Sequence, residues 1–141
     1  MEKVSKVLAI TGANKGIGYS IIDGLLRQKN SEYKILLGTR DLNNGKDALK
    51  SLLDKHGDLA KNIDVVQIDI NNQKSVDSFI EEVKKTYGFI TCLVNNAGTT
   101  VKGDEFSTRV YDITVGTNYH DTVTFTNKVL KEGLIPNKGK I

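Results

Sequence analysis

The chain has 141 residues, room for one domain of ordinary size, and 38% of them are hydrophobic. No apolar run approaches the roughly 20 residues that span a bilayer. A single cysteine excludes an intramolecular disulfide framework or a cysteine-rich zinc site, and 20 basic against 17 acidic residues leave a net +3, too slight to argue for nucleic acid. Residues 1–6 lack the apolar stretch and cleavage site of a signal peptide, so a cytoplasmic chain without a membrane or nucleic-acid partner is expected.

Short aliphatic blocks alternate with helical periodicities along the chain. Val7-Leu8-Ala9-Ile10, Ile35-Leu36-Leu37, Val65-Val66-Gln67-Ile68 and Cys92-Leu93-Val94 read as strands buried on both faces. Between them, Ile17, Ile21, Ile22, Leu25 and Leu26 form one helical stripe, and Ala48, Leu49, Leu52 and Leu53 a second. Val76, Phe79, Ile80 and Val83 form a third, with Ser75 suited to cap its start and Gly88 its end. A polar stretch over residues 99–107 precedes a longer helical region, about 108–134, whose apolar positions include Val110, Ile113, Tyr119, Val123, Val129 and Leu130. Pro136 stops it, and Gly139-Lys140-Ile141 looks like the beginning of a fifth strand cut short. This alternation predicts an α/β fold, a Rossmann-type doubly wound parallel sheet ordered 3-2-1-4.

The first strand runs into Thr11-Gly12-Ala13-Asn14-Lys15-Gly16-Ile17-Gly18, a spacing variant of the dinucleotide fingerprint. Gly12 permits the tight turn, Gly16 lets backbone approach a diphosphate, and Gly18 permits close helix–strand packing. The anion would sit over free amides at the helix N-terminus. The second strand ends in Gly38-Thr39-Arg40-Asp41. Where an NAD-selective enzyme places a carboxylate for the ribose, this chain offers the Arg40 guanidinium, and Lys15 sits in the glycine turn. The two cations suit a 2′-phosphate and favour NADP(H) over NAD(H), although both could be ordinary surface charges. Asp41 reads as the cap of the next helix. Asp69 and Ile70, ending the third strand, fall where a carboxylate could accept from adenine's amine and an apolar wall could cover the ring. The plainer reading of Asp69 is a helix-entry residue with no ligand.

Together with Asn95-Asn96-Ala97-Gly98 after the fourth strand, these motifs resemble the classical short-chain dehydrogenase/reductase family over essentially the whole chain, and within it the NADPH-dependent carbonyl reductases. The resemblance implies cofactor contacts from Gly12, Asn14, Lys15, Gly16, Ile17 and Gly18, from Arg40 at the 2′-phosphate, and from Asp69 and Ile70 at adenine. It also implies Asn96, Ala97 and Gly98 beside the ribose and nicotinamide. Asn118 matches the family's catalytic-tetrad asparagine, and His120-Asp121 departs from the residues usual after it.

The family's chemistry needs a Tyr general acid, a Lys four residues later and a carbonyl-orienting Ser. Four positions beyond Tyr19, Tyr33, Tyr87, Tyr111 and Tyr119 stand Asp23, Leu37, Thr91, Val115 and Val123. The resemblance therefore implies that residues 1–141 are a single, incomplete cofactor-binding domain of an enzyme that reduces ketones, aldehydes or quinones. The chain itself is expected to be inactive and to bind the nicotinamide nucleotide weakly at best. His56, His120 and Cys92 read as structural. Two other readings stand beside this one: a natural non-catalytic short form that binds nucleotide or sequesters a full-length relative, and a free-standing mononucleotide or flavin module. In the 3-2-1-4 order the fourth strand lacks an outer neighbour, so self-association is expected.

Overall fold

Side-chain alternation along each strand divides the core in two. In β1 (Lys6–Ile10), Val7 and Ala9 join one buried cluster, while Leu8 and Ile10 join the other. In β2 (Tyr33–Thr39), Leu36 takes the first side and Ile35 and Leu37 the second. The computed structural model describes residues 6–29, 32–98, 107–109 and 115–141. Residues 99–106 and the expected core positions Val110 and Ile113 lie outside these.

The four strands, completed by β3 (Ile63–Gln67) and β4 (Cys92–Val94), form one parallel sheet ordered β3-β2-β1-β4. Leu8 pairs with Ile35 on one side and Cys92 on the other, and Ile35 pairs with Ile63. The chain steps outward from β1 to β3 and then crosses back to β4. The direction therefore reverses between β1 and β4, and a crevice opens at the carboxyl ends of these two strands. The expected fifth strand begins beside β4: Lys140 N–H donates to Thr91 O and Leu93 N–H to Lys140 O, both at 2.9 Å. Cys92, expected in the core, is only half-buried on this outer strand.

Helices cover both faces. α1 (Gly16–Arg27) and α2 (Leu42–His56) close the cluster that holds Ile22, Leu26, Ala48 and Leu52. α3 (Gln73–Thr86) closes the other with Val76, Phe79, Ile80 and Val83, each burial being worth about 1.5–3 kcal/mol. α4 (Thr122–Lys131), preceded by a π-helical turn at Gly116–Asp121, adds Phe125 and Val129 to this second cluster. The Phe79 and Phe125 rings meet at 5.7 Å between centroids. No helix among the described residues is long and apolar enough to cross a membrane.

Three sequence expectations change. Asn72, not Ser75, caps α3, its Oδ1 accepting from Lys74 and Ser75 N–H at 3.0 and 3.3 Å. Gly88 lies one residue past the cap with φ +85°, and its N–H and that of Tyr87 both reach Val83 O. Ile17 is 74% exposed and lines the crevice at the start of α1. Tyr119, Val123 and Leu130 are also exposed; Val129 is buried as expected, and Phe125 and Leu134 join it on the buried side of that region.

Candidate functional site

The crevice is a cleft of about 490 Å³ at the β1–β4 switch point. The glycine turn forms its floor. Gly12 and Gly16 both have φ near +62°, a conformation that disfavours any Cβ. A Cβ on Gly12 would lie 2.9 Å from Ala97 Cα, and one on Gly18 only 2.6 Å from Asn96 Nδ2 and 2.8 Å from Ala13 Cα. Gly16 is different: nothing lies within 4 Å of where its Cβ would be, so its backbone faces open space. Lys15, the residue before α1, makes no side-chain cap, and the helix has no acidic residue in its first turn. Its first amides are therefore positive, with no carboxylate of the helix's own first turn to claim them.

The segment after β4 staples this turn. Asn96 Nδ2 donates to Thr11 O at 3.1 Å and Gly12 O at 3.0 Å. In return, the buried Thr11 Oγ1 accepts from Asn96 N–H at 3.1 Å and Ala97 N–H at 2.9 Å. Four hydrogen bonds thus join residues some 85 positions apart. Asn95 Nδ2 donates to Thr126 Oγ1 at 2.9 Å, anchoring the same segment to α4. Asn118, in the π-helical turn, comes to the end of this segment: a Cβ on Gly98 would lie 3.0 Å from its Oδ1.

Gly12, Asn14, Lys15, Gly16 and Ile17 line the cleft from the turn, and Asn96, Ala97 and Gly98 from the staple. Arg40, Asp69 and Ile70 line it from the ends of β2 and β3. Gly18 and Asn118 do not line it: Gly18 is packed beneath the turn, and Asn118 stands beyond Gly98. Lys15 and Arg40 are exposed, and neither has an ion-pair partner among the described residues. Asp41 caps α2, its Oδ1 accepting from Asn43 N–H at 2.8 Å and Asn44 N–H at 3.3 Å, and it also borders the cleft. Asp69 Oδ1 accepts from Asn71 N–H at 3.0 Å, which leaves its second oxygen available. Thr39, Asn44, Ile68 and Asn71 line the cleft as well and carry no motif of their own. Their signal is position alone, at or just past a strand's carboxyl end or, for Asn44, in the first turn of α2.

Four titratable groups of the described residues outside the cleft serve packing. Tyr19 hydroxyl pairs with Ser51 Oγ at 2.7 Å. Tyr87 donates to Asp64 at 2.5 Å, and burial above all, with that carboxylate beside it, raises its phenol far above the ordinary value. Burial pushes the Cys92 thiol up, away from thiolate reactivity. His56 Nε2 lies 2.7 Å from Asp23 Oδ1 between α1 and α2, outside the cleft.

Comparison with known proteins fits this geometry. The short chain dehydrogenase family matches residues 6–141. Carbonyl reductase (NADPH) 3 of Rattus norvegicus is 32% identical over 133 residues, covering 92% of this chain and 46% of that protein. The Homo sapiens protein of the same name is also 32% identical over the same span. Among solved structures, L-sorbose reductase from Gluconobacter frateurii complexed with NADPH and L-sorbose aligns with a TM-score of 0.71 and 26% identity, over 90% of this chain and 47% of that one. A variant of actinorhodin polyketide ketoreductase with NADPH aligns with a TM-score of 0.76 and 26% identity, over 94% and 49%. The chain spans about half the length of the curated relatives it matches. With sheet order, glycine turn, asparagine staple and family match in agreement, the chain belongs to the short-chain dehydrogenase family.

Proposed function

We propose that the cleft binds NADP(H) and that the chain is the N-terminal cofactor-binding part of a carbonyl reductase acting on ketone, aldehyde or quinone carbonyls. The observation that carries this reading is the convergence of Lys15 and Arg40, from different elements, on one open cleft with no anion among the described residues paired to either. The open space over Gly16 is the cradle a diphosphate requires, since any side chain there would fill it. Arg40 supplies a planar fork for a 2′-phosphate, and Lys15 a second charge. Asp69 and Ile70 would hold the adenine, Asn14 and Ile17 the diphosphate, and the staple of Asn96, Ala97 and Gly98 the ribose and nicotinamide. The nucleotide supplies hydride to a carbonyl carbon when bound.

The chain's own part in that chemistry is orientation. Asn96 holds the turn at fixed height, and Asn118, beside Gly98, would hold a water of the proton relay, the role the family resemblance implies for it. The protonating Tyr and its Lys partner are not among these 141 residues, for no Tyr is followed by Lys at the fourth position. The chain alone is therefore inactive and binds the nucleotide weakly. Fluorescence titration with NADPH tests this together with reductase assays on menadione-like quinones. Weak binding without turnover is expected, and robust turnover by the purified chain would overturn the reading.

A second reading is favoured by the exposed Tyr119, Val123 and Leu130 around α4. It makes the chain a non-catalytic short form that associates with itself or with a longer relative through this face. Light scattering and a pull-down of the co-expressed longer protein test it, and a clean monomer with no capture would remove it.

A further inference from the structure

We propose that Gln67 and Ser75, neither of which lines the cleft, are positioning residues that set the spacing of Arg40 and Asp69 across its adenosine end. The inference rests on the reading above that this end takes a phosphorylated adenosine. Ser75 has the residue type and place of a helix cap, yet Asn72 does the capping. The Ser75 hydroxyl, buried under the start of α3, is committed elsewhere. It donates to Gln67 Oε1 at 2.7 Å and accepts from Asp69 N–H at 2.8 Å. Gln67 Nε2 in turn donates to Arg40 O at 3.4 Å. The result is a chain of side-chain hydrogen bonds from the main chain of Arg40 to that of Asp69.

Its placement explains why it is needed. The β2–β3 ladder ends at the pair Thr39 and Gln67, with one further bond from Ile68 N–H to Thr39 O at 2.9 Å. Arg40 is the first residue beyond the ladder, so its main chain has no strand partner to fix it, and the Gln67 amide supplies one. At the far end, Asp69 leaves β3 two residues past Gln67, and its N–H has left the ladder too. One hydroxyl, with a single proton and two lone pairs, serves both sides of this junction. Removing it, as in alanine, leaves both Gln67 Oε1 and the Asp69 N–H without that partner. The distance between guanidinium and carboxylate then becomes free to vary, and that distance decides whether both can engage one nucleotide.

The test titrates the isotopically labelled 141-residue chain with 2′,5′-ADP and with 5′-AMP by NMR, which reads affinities into the millimolar range. The wild type is expected to prefer 2′,5′-ADP. Gln67→Met keeps length and removes the amide with both of its hydrogen bonds, to Ser75 and to Arg40 O, and it should weaken 2′,5′-ADP about fivefold, while 5′-AMP changes less than twofold. Ser75→Ala should weaken both ligands and shift the Asp69 amide resonance, and Ser75→Thr, which keeps the hydroxyl, should restore both. Should Ser75→Ala fail to fold, the narrowed ligand ratio in Gln67→Met still decides. A Gln67→Met chain that binds both nucleotides as the wild type does, or loses both equally with a lowered melting temperature, overturns the inference and leaves the reading of the cleft intact. A wild type that binds neither overturns both.

Discussion

Charges at the two ends of α1 are held in opposite ways. At its start, Lys15, and Arg40 across the cleft, stand exposed without ion-pair partners among the described residues. Two turns further along, Asp23 is buried and saturated: Arg27 Nη2 reaches one oxygen at 2.7 Å, and His56 Nε2 of α2 reaches the other at 2.7 Å. A buried carboxylate without partners would be too costly to keep, so the packed end of the helix surrounds its charge. An exposed cation costs the fold nothing, and such a charge at a concave site is free for an external anion. The glycines show the same contrast: Gly12 is pressed against Ala97, while Gly16, in the same backbone conformation, opens on empty space.

The largest expected effect separates those two glycines. Gly12→Ala combines left-handed strain with overpacking and should cost about 2–4 kcal/mol of stability. Gly16→Ala carries the strain alone, about 1–2 kcal/mol, and obstructs the cleft instead. Denaturant titration of both variants, with nucleotide binding followed alongside, checks this, and equal stability losses would break the contrast. Next, Arg40→Ala should lower affinity for NADPH about 10–100-fold, the range of a charge-assisted hydrogen bond, with an unchanged melting temperature. A fall in stability instead would mean that the guanidinium serves the fold. His56→Ala should do the reverse, lowering the melting temperature by several degrees and leaving nucleotide affinity as it was.

The smallest effect is one of pH. Hydrogen bonding to His56, with Arg27 and Lys55 nearby, holds the Asp23 carboxyl below the usual carboxylate range, outweighing its burial. A depressed folded value means that the stabilisation is complete above the unfolded value of about 4 and disappears as pH falls through the folded one. Melting curves between pH 6 and pH 2 should show this acid loss in the wild type and a shallower one in His56→Ala. Identical slopes would remove Asp23 as its source.

Contiguous features of this fold were legible in the sequence, and the long-range ones were not. The glycine turn and the Asp41 cap are local signals, each contained in a few residues, and the structure places both as read. Ile17 satisfied the helical spacing of the first stripe, but periodicity cannot show that its side chain opens onto the cleft rather than the core. Ser75 was read as the cap of α3, and Asn72, three residues earlier, takes that place. Only the fold, by bringing Gln67 and Asp69 to the serine, reveals which one has other work. The Asp23–His56 pair spans 33 positions with no spacing rule to announce it. Asn96 was marked for a ligand, and its side chain is also the clamp on Thr11 and Gly12, a role that depends on β4 lying beside β1.

The central claim is that the cleft at the β1–β4 switch point holds the phosphorylated adenosine of NADP(H). Mapping 2′,5′-ADP onto the labelled chain by NMR tests it most directly. The account predicts saturable amide shifts concentrated in residues 12–18, at Arg40 and over residues 69–71, with Asp23 and His56 undisturbed. Shifts scattered over the surface, or none at millimolar ligand, would contradict it.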